Sequence, residues 1–330
     1  MEIILVLTIA VALIACLALT EVSVVGTDPM LTNYAQGYAP SVNQEELSLA
    51  SALAPRVPVP AYYGRYAKAD LKNQIVVPDT ARGIGGNATR IAYTESDGNY
   101  NCKPHALEAT IDVVERGKAG PNADMRLEKS KIRTLLKKAT LAHALRVVAV
   151  AHSATAVAGK GVWSNPDIDP IAELNEQIIA VRDATGGILP NRLVMDLAIF
   201  GTLHAHPKVK PRLPTTLVNS LTGAQLAAML INPAIKVIVG TTIKDATKLG
   251  ATSSKSAVLA TDVYLYVSSD EPGQDDPSWM KCFVATDSFS NIEAVRMYWD
   301  DKCRSDVIAV DWTEDIQITG SACGVRIAVT

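Results

Sequence analysis

Residues 169–213 read DPIAELNEQIIAVRDATGGILPNRLVMDLAIFGTLHAHPKVKPRL, and their order decides the fold. Ile171, Leu174, Ile178 and Val181 recur at three- and four-residue steps and make one apolar helical face. Asp169 is placed to cap that helix, with Pro170 in its first turn, where a missing N–H costs nothing. Gly186 and Gly187 supply the stop. The short apolar run Arg192–Met195 reads as a buried strand. Asp196 can cap a second helix, Leu197 to His204, which Pro207 ends. The stretch is therefore helix, strand, helix.

This segment resembles one found in tailed-phage major capsid proteins of the HK97-like family. There a helix ending in a Thr-Gly turn is followed by Pro-Asn-x-Leu-Val, a short helix and a His-Pro before Val. The matching residues are Thr185-Gly186, Pro190-Asn191-Arg192-Leu193-Val194 and His206-Pro207-Lys208-Val209. Taken alone, the segment also fits an αβα unit of a cytosolic enzyme, so the rest of the chain must decide.

With 330 residues the chain can build more than one core. A hydrophobic content of 48% and a charged content of 20% mark it as globular. The 31 bases and 34 acids give a formal charge of −3, which excludes a protein that wraps nucleic acid through a basic surface. A container, which must not grip its cargo tightly, remains compatible. Cys16, Cys102, Cys282, Cys303 and Cys323 are odd in number and include no C-x-x-C pair. They read as unpaired thiols rather than a disulfide scaffold or a zinc site.

Ile3 to Leu19 is almost purely apolar but has no positive flank; the first basic residue is Arg56. Three readings stay open: a buried apolar arm, a membrane-targeting segment, or an upstream extension of a chain starting at Met30. Asp28 to Tyr34 resembles the usual opening of the capsid family. Tyr34 to Pro60 is expected to be irregular, apart from a short amphipathic helix at Glu45–Leu53 and an extended Pro55–Pro60.

Tyr62 to Ile111 reads as a β-ribbon with a glycine-rich tip at Asp79–Asn87, returning as strands at Ala88–Thr94 and Tyr100–Val114. Such a ribbon cannot hold itself up alone. The resemblance implies that it lies across a neighbouring subunit, with Tyr62, Tyr63, Arg65, Tyr66 and Lys68 as interface residues. Some family members crosslink subunits through a Lys on this loop; Lys68 and Lys72 lie in the right region, but the resemblance does not assign them that role.

Asp124 to His152 is predicted to be the longest helix, about 40 Å long. Leu127, Ile132, Leu135, Leu136, Ala139, Leu145 and Val148 form its apolar face. Lys129, Lys131, Arg133, Lys137 and Lys138 crowd the other side. In the family this is the spine helix of the peripheral domain on the inner wall, where a basic face could meet packaged DNA, a scaffold or a neighbour. A solvated helix face is the plainer reading. Trp163–Pro170 marks an expected domain crossing. Gly223–Leu230 is a further helix, Val237–Gly240 and Val263–Val267 are buried strands, and Lys244–Ser256 between them is a polar loop. Phe283–Thr286, Glu293–Tyr298, Asp300–Val310 and Val325–Val329 bring the chain back as strands and turns.

No catalytic constellation emerges. Gly83-x-Gly85-Gly86 and Gly159-Lys160-Gly161 lack the rest of a P-loop, and Ser321 in Gly320–Gly324 is off-centre for a nucleophile elbow. His143 and His152, nine apart, do not share a helical face, and His204-x-His206 lacks a nearby third ligand. No catalytic, cofactor or metal residues are assigned.

The resemblance implies an α+β HK97-like capsid fold. Its expected parts are an N-terminal arm at 1–60 with 1–27 as apolar extension, an extended loop at 61–105, a peripheral domain from 106–165 and 297–330, and an axial domain at 166–296. It further implies self-assembly through pentamers and hexamers into an icosahedral virion shell around double-stranded DNA, formed in the host cytoplasm. Scaffold, portal or decoration proteins are the further partners, and a membrane is not expected. An encapsulin-like nanocompartment shell or a membrane-targeted protein using residues 3–19 are the alternatives.

Overall fold

The computed structural model describes residues 28–42, 44–68, 75–77, 79–82, 84–90, 97–119, 124–157, 162–213, 221–248, 250–259, 261–274, 276–286 and 294–329. Ile3–Leu19, Cys16, Lys72 and most of Ala88–Thr94 lie outside these residues. Among the described residues no helix is long and apolar enough to cross a membrane.

In chain order the helices and strands are α1 (Pro29–Val42), α2 (Gln44–Leu53), β1 (Arg56–Val59), β2 (Tyr63–Ala67), β3 (Asp97–Asn101), β4 (Lys103–Asp112), α3 (Val113–Ala119) and α4 (Asp124–Ser153). They continue with β5 (Ala156–Val157), α5 (Pro170–Thr185), β6 (Arg192–Asp196), α6 (Leu197–Ala205), α7 (Gly223–Met229), β7 (Lys236–Gly240), β8 (Ile243–Asp245) and β9 (Lys255–Ala257). The last are β10 (Asp262–Tyr266), β11 (Met280–Ala285), β12 (Val295–Asp300), β13 (Ser305–Ile318) and β14 (Gly324–Ala328). The described residues fall into two compact units.

One unit comprises the described parts of 28–40, Pro104–Lys137 and Thr286–Thr313. Here β12 and β13 form an antiparallel hairpin running from Val295↔Val310 to Asp300↔Ser305. Arg304 in its turn has φ 48°. Strand β4 also pairs with β13. Asp28 caps α1: its Oδ1 accepts from the backbone N–H of Met30 at 2.9 Å and of Leu31 at 3.1 Å. Thr32 Oγ1 lies 3.3 Å from the carbonyl of Val295, tying the helix to β12. Leu31, Ala35, Ile111, Ile132, Leu135, Leu136, Val307 and Ile308 are buried here.

Two expectations are corrected in this unit. Residues 34–42, expected to be irregular, continue α1, whose first turn holds Pro29, where a missing N–H removes no intrahelical bond. The strand expected to run to Val114 stops at Asp112. The Oδ1 of Asp112 accepts from Val114 N–H at 2.7 Å and starts α3.

The other unit comprises Ser41–Lys103, Lys138–Ala285 and Glu314–Thr330 in their described parts. Its larger sheet has the order β5-β14-β10-β6-β7. Strand β10 is antiparallel to β14 and β6, and β6 is parallel to β7. Side chains alternate across that sheet, and both faces are covered. Leu193, Met195, Val263, Leu265 and Ile327 meet Ile171, Leu174 and Ile178 of α5, Ile199 and Leu203 of α6, and Leu226 of α7. Val194, Tyr264 and Tyr266 turn the other way, toward Leu49 and Leu53 of α2 and Ala144, Val147 and Ala151 of α4. Burial on both sides explains why these strands read as unbroken apolar runs.

The expected caps form. Asp169 accepts from Ile171 and Ala172 N–H, Gly186 ends α5 at φ 73°, and Asp196 accepts from Ala198 N–H at 2.9 Å. Two details differ. Trp163, expected at a domain crossing, is buried inside this unit, and its Nε1–H donates to Glu173 Oε2 at 2.9 Å. The Lys244–Ser256 loop carries an antiparallel pair of its own, β8 with β9.

A second sheet of the unit begins with β1, parallel to β11 in the register Val57↔Phe283. Strand β11 is antiparallel to the end of β13, with Cys282↔Ile316. This sheet carries the ribbon.

Candidate functional site

Strands β2 and β3 pair antiparallel, with Gly64↔Tyr100 and Tyr66↔Gly98. Each tyrosine ring lies over the glycine opposite: a Cβ on Gly64 would run into the ring of Tyr100, and one on Gly98 into the ring of Tyr66. Glycine is required at both positions by this approach. Tyr66 and Tyr100 then stack on Phe283 of β11, with ring centroids 5.0 and 4.9 Å away. The backbone N–H of Asn101 donates to Asp315 Oδ2 at 2.8 Å. The ribbon's base is therefore anchored on its own sheet.

Strand alternation sorts the five proposed interface residues. Tyr62 and Tyr63 are 43% and 63% exposed, Arg65 and Lys68 are exposed, and Tyr66 is only 5% exposed. Tyr66 is a core residue of this chain, which takes it out of the expected interface set. Arg65 Nη1 lies 3.8 Å from Asp97 Oδ2 with both side chains largely in solvent, a contact worth little by itself. Ile75, Val76, Val77 and Ile84 are exposed apolar residues beyond β2.

The basic side of α4 is divided. Lys129 Nζ lies 5.0 Å from the ring centroid of Tyr34, and the Arg133 guanidinium carbon lies 5.8 and 5.0 Å from those of Tyr34 and Tyr38. Arg133 Nε–H also donates to Tyr34 Oη at 2.6 Å. Lys131 pairs with Glu115 at 3.1 Å. These contacts, with an open groove lined by Met125, Arg126, Leu127, Lys129, Ser130 and Arg133, engage the first half of the basic face within the chain. Lys137 and Lys138 are exposed.

The histidine pair separates. His206 is buried, with Nε2 3.1 Å from the Asn165 carbonyl oxygen and Nδ1 accepting from Lys208 N–H at 3.2 Å, so both ring nitrogens are engaged.

A buried cluster was not anticipated. His143 of α4, Cys282 of β11 and Glu314 of β13 are all buried, and one potential ligand atom from each lies within 4.8 Å of the others. His143 Nδ1 is 2.5 Å from Glu314 Oε2, and Arg146 Nε–H donates to Glu314 Oε1 at 2.5 Å. Burial pushes the Glu314 carboxyl up, but the hydrogen bond and charge of His143, with Arg146, more than offset this and hold it down to about 2. Burial pushes the Cys282 thiol well above the ordinary range, with Glu314 adding to the rise. The three residues are far apart in sequence, so no local spacing could have revealed them.

A long helix, a two-sided mixed sheet and a ribbon anchored on a second sheet make an α+β architecture. It is the HK97-like fold of the proteins that build tailed-phage capsids. The chain is similar to the Major capsid protein of Pseudomonas phage JBD67, with 24% identity over 188 residues, covering 55% of this chain and 58% of that protein. It thus spans little more than half the length of that curated relative. The crystal structure of a phage-related protein from Bordetella bronchiseptica RB50 superposes with a TM-score of 0.69 at 24% identity, over 92% of this chain and 97% of the other. The capsid of cyanophage P-SCSP1u gives a TM-score of 0.51 at 8% identity, over 84% and 86% of the two chains. An encapsulin complex from Synechococcus elongatus PCC 7942 shares the fold, so fold alone does not separate viral from cellular shells. No protein-family model matches the chain.

Proposed function

We propose that this chain is the major structural subunit of a tailed-phage capsid. It assembles with copies of itself into pentamers and hexamers that close an icosahedral shell around double-stranded DNA, and it performs no catalysis. The observation that carries the reading is the conjunction of an HK97-like fold with sequence similarity to a protein named as a major capsid protein. The similarity to that protein favours a viral over an encapsulin shell.

Shell assembly of this kind uses heterologous contacts, in which one patch of a subunit meets a different patch on the next and rotation closes the ring. Many contacts of modest area then stabilise the particle together. In this reading residues 1–60 are the arm, 61–105 the extended loop, 106–165 with 297–330 the peripheral domain, and 166–296 the axial domain. Tyr62, Tyr63, Arg65 and Lys68 offer the neighbour aromatic and cationic side chains that ordinarily dominate interfaces. Exposed Lys137 and Lys138 provide non-specific contact to packaged DNA on the inner wall. Scaffold, portal or decoration proteins join the shell, which forms in the host cytoplasm and becomes part of the virion.

The test is expression of the chain from Met1 and from Met30, with negative-stain electron microscopy of both lysates. Icosahedral particles from either support the reading. Failure of both to form particles, with the full chain sedimenting with membranes, would overturn it. Particles holding a co-purified enzyme in place of nucleic acid would shift it to a cellular compartment.

A further inference from the structure

We propose that His143, Cys282 and Glu314 bind one zinc-class divalent cation. The three side chains converge by register. Cys282 pairs with Ile316, so Glu314, two residues before Ile316, lies diagonally across from Cys282 on the same face of the sheet. That face packs against α4: Cys282 and Ile316 share a core with Ala144 and Val147, which follow His143 on the helix. Three elements thus aim a nitrogen, a sulfur and an oxygen at one point, with the donor atoms within 4.8 Å of one another.

The donor set selects the ion. Magnesium and calcium take oxygen ligands, whereas imidazole with a thiolate and one carboxylate suits zinc and its close neighbours. Bonds of about 2.0–2.3 Å to a tetrahedral ion hold its ligands roughly 3.3–3.8 Å apart. The 2.5 Å approach of His143 Nδ1 to Glu314 Oε2 therefore opens by about 1 Å as the ion enters, a shift side-chain torsions can supply. Arg146, on the other oxygen of Glu314, fixes the carboxylate from behind as outer-shell partners of metal ligands do. The fourth position falls to a water.

Binding releases at least one proton. The Cys282 thiol exchanges its S–H bond for a sulfur–metal bond and releases H⁺ to solvent. His143 Nδ1 binds through its lone pair once the proton it shares with Glu314 has passed to Nε2 or to solvent, and the carboxylate enters already ionised. No electron is transferred.

The experiment uses the full-length chain without an affinity tag, dialysed free of metal and titrated with cobalt(II) and with zinc. One equivalent should bind per chain, with a thiolate-to-cobalt charge-transfer band, tetrahedral ligand-field bands and at least one proton released per ion in weak buffer. Cys282→Ala should abolish the band and the zinc-dependent rise in Tm. Cys323→Ala, which removes a different buried thiol, should leave both intact. Arg146→Met should weaken zinc binding about 10–100-fold. A wild-type chain that shows no stoichiometric ion and no charge-transfer band overturns the site, whatever the variants do. So does a band that survives Cys282→Ala.

Discussion

Tyr66 stacks on Phe283 with 5.0 Å between ring centroids, and this contact joins the ribbon strand β2 to the sheet strand β11. Tyr100 stacks on the same phenylalanine, so one buried ring receives both arms of the ribbon. Phe283→Ala should cost about 3–5 kcal/mol, because the cavity faces two aromatic neighbours that cannot collapse into it. Urea unfolding measures the loss, and limited proteolysis should cut residues 62–101 faster. A variant with wild-type stability and protection would show that the ribbon does not depend on this ring.

The outward residues of the same strand should behave in the opposite way. Tyr62, Tyr63 and Arg65 changed together to Ala should leave the fold's circular dichroism and Tm close to wild type, because exposed substitutions usually stay within about 0.5 kcal/mol each. The same triple variant should fail to form particles in sedimentation and electron microscopy. Normal shells would remove these residues from the interface.

Glu314 makes stability depend on acid. Its folded carboxyl is held at about 2 against an ordinary 4.5. The stabilisation is therefore fully present above pH 4.5 and is lost as pH falls from there through about 2. Glu314→Gln should be several kcal/mol less stable than wild type at pH 7, since it leaves His143 and Arg146 without their anionic partner, and the gap should narrow steadily below pH 4.5. Urea titrations of both proteins across this range measure it. Parallel curves would mean that Glu314 is not the group responsible.

Arg133 fastens α1 to the first half of α4. Arg133→Ala removes two cation–π contacts and the 2.6 Å bond to Tyr34 Oη, and should cost roughly 1–2 kcal/mol. Hydrogen exchange in residues 29–40 should accelerate while β10 and β11 remain protected. Unchanged exchange in α1 would show that the helix does not depend on Arg133.

What could be read from the sequence was whatever is encoded locally. Asp169, Gly186 and Asp196 announce α5, β6 and α6 because caps and left-handed turns act within a few residues of themselves. The continuation of helix α1 past Tyr34 was not legible, because Gly37 and Pro40 signal irregular chain and the contacts that hold the helix are distant, among them Arg133, 99 residues away from Tyr34, and Val295 against Thr32. Tyr66 was misassigned to the surface because an aromatic in a polar run looks alike on either face; only the register with Gly98 turns it inward. The cluster of His143, Cys282 and Glu314 depends on the pairing of β11 with β13 and has no linear signature.

Two of the boundaries between the compact units fall between Lys137 and Lys138, inside α4, and between Thr313 and Glu314, inside β13. A gene coding for this chain can exchange pieces with a divergent relative wherever a crossover lands in an irregular segment, such as Ala251–Ser254 or Glu271–Gln274. A crossover at the structural boundary would instead splice one relative's half-helix or half-strand onto another's, mismatching every side chain that had adapted to its own partners. Natural hybrids of such genes should therefore carry both halves of α4 and of β13 from one parent.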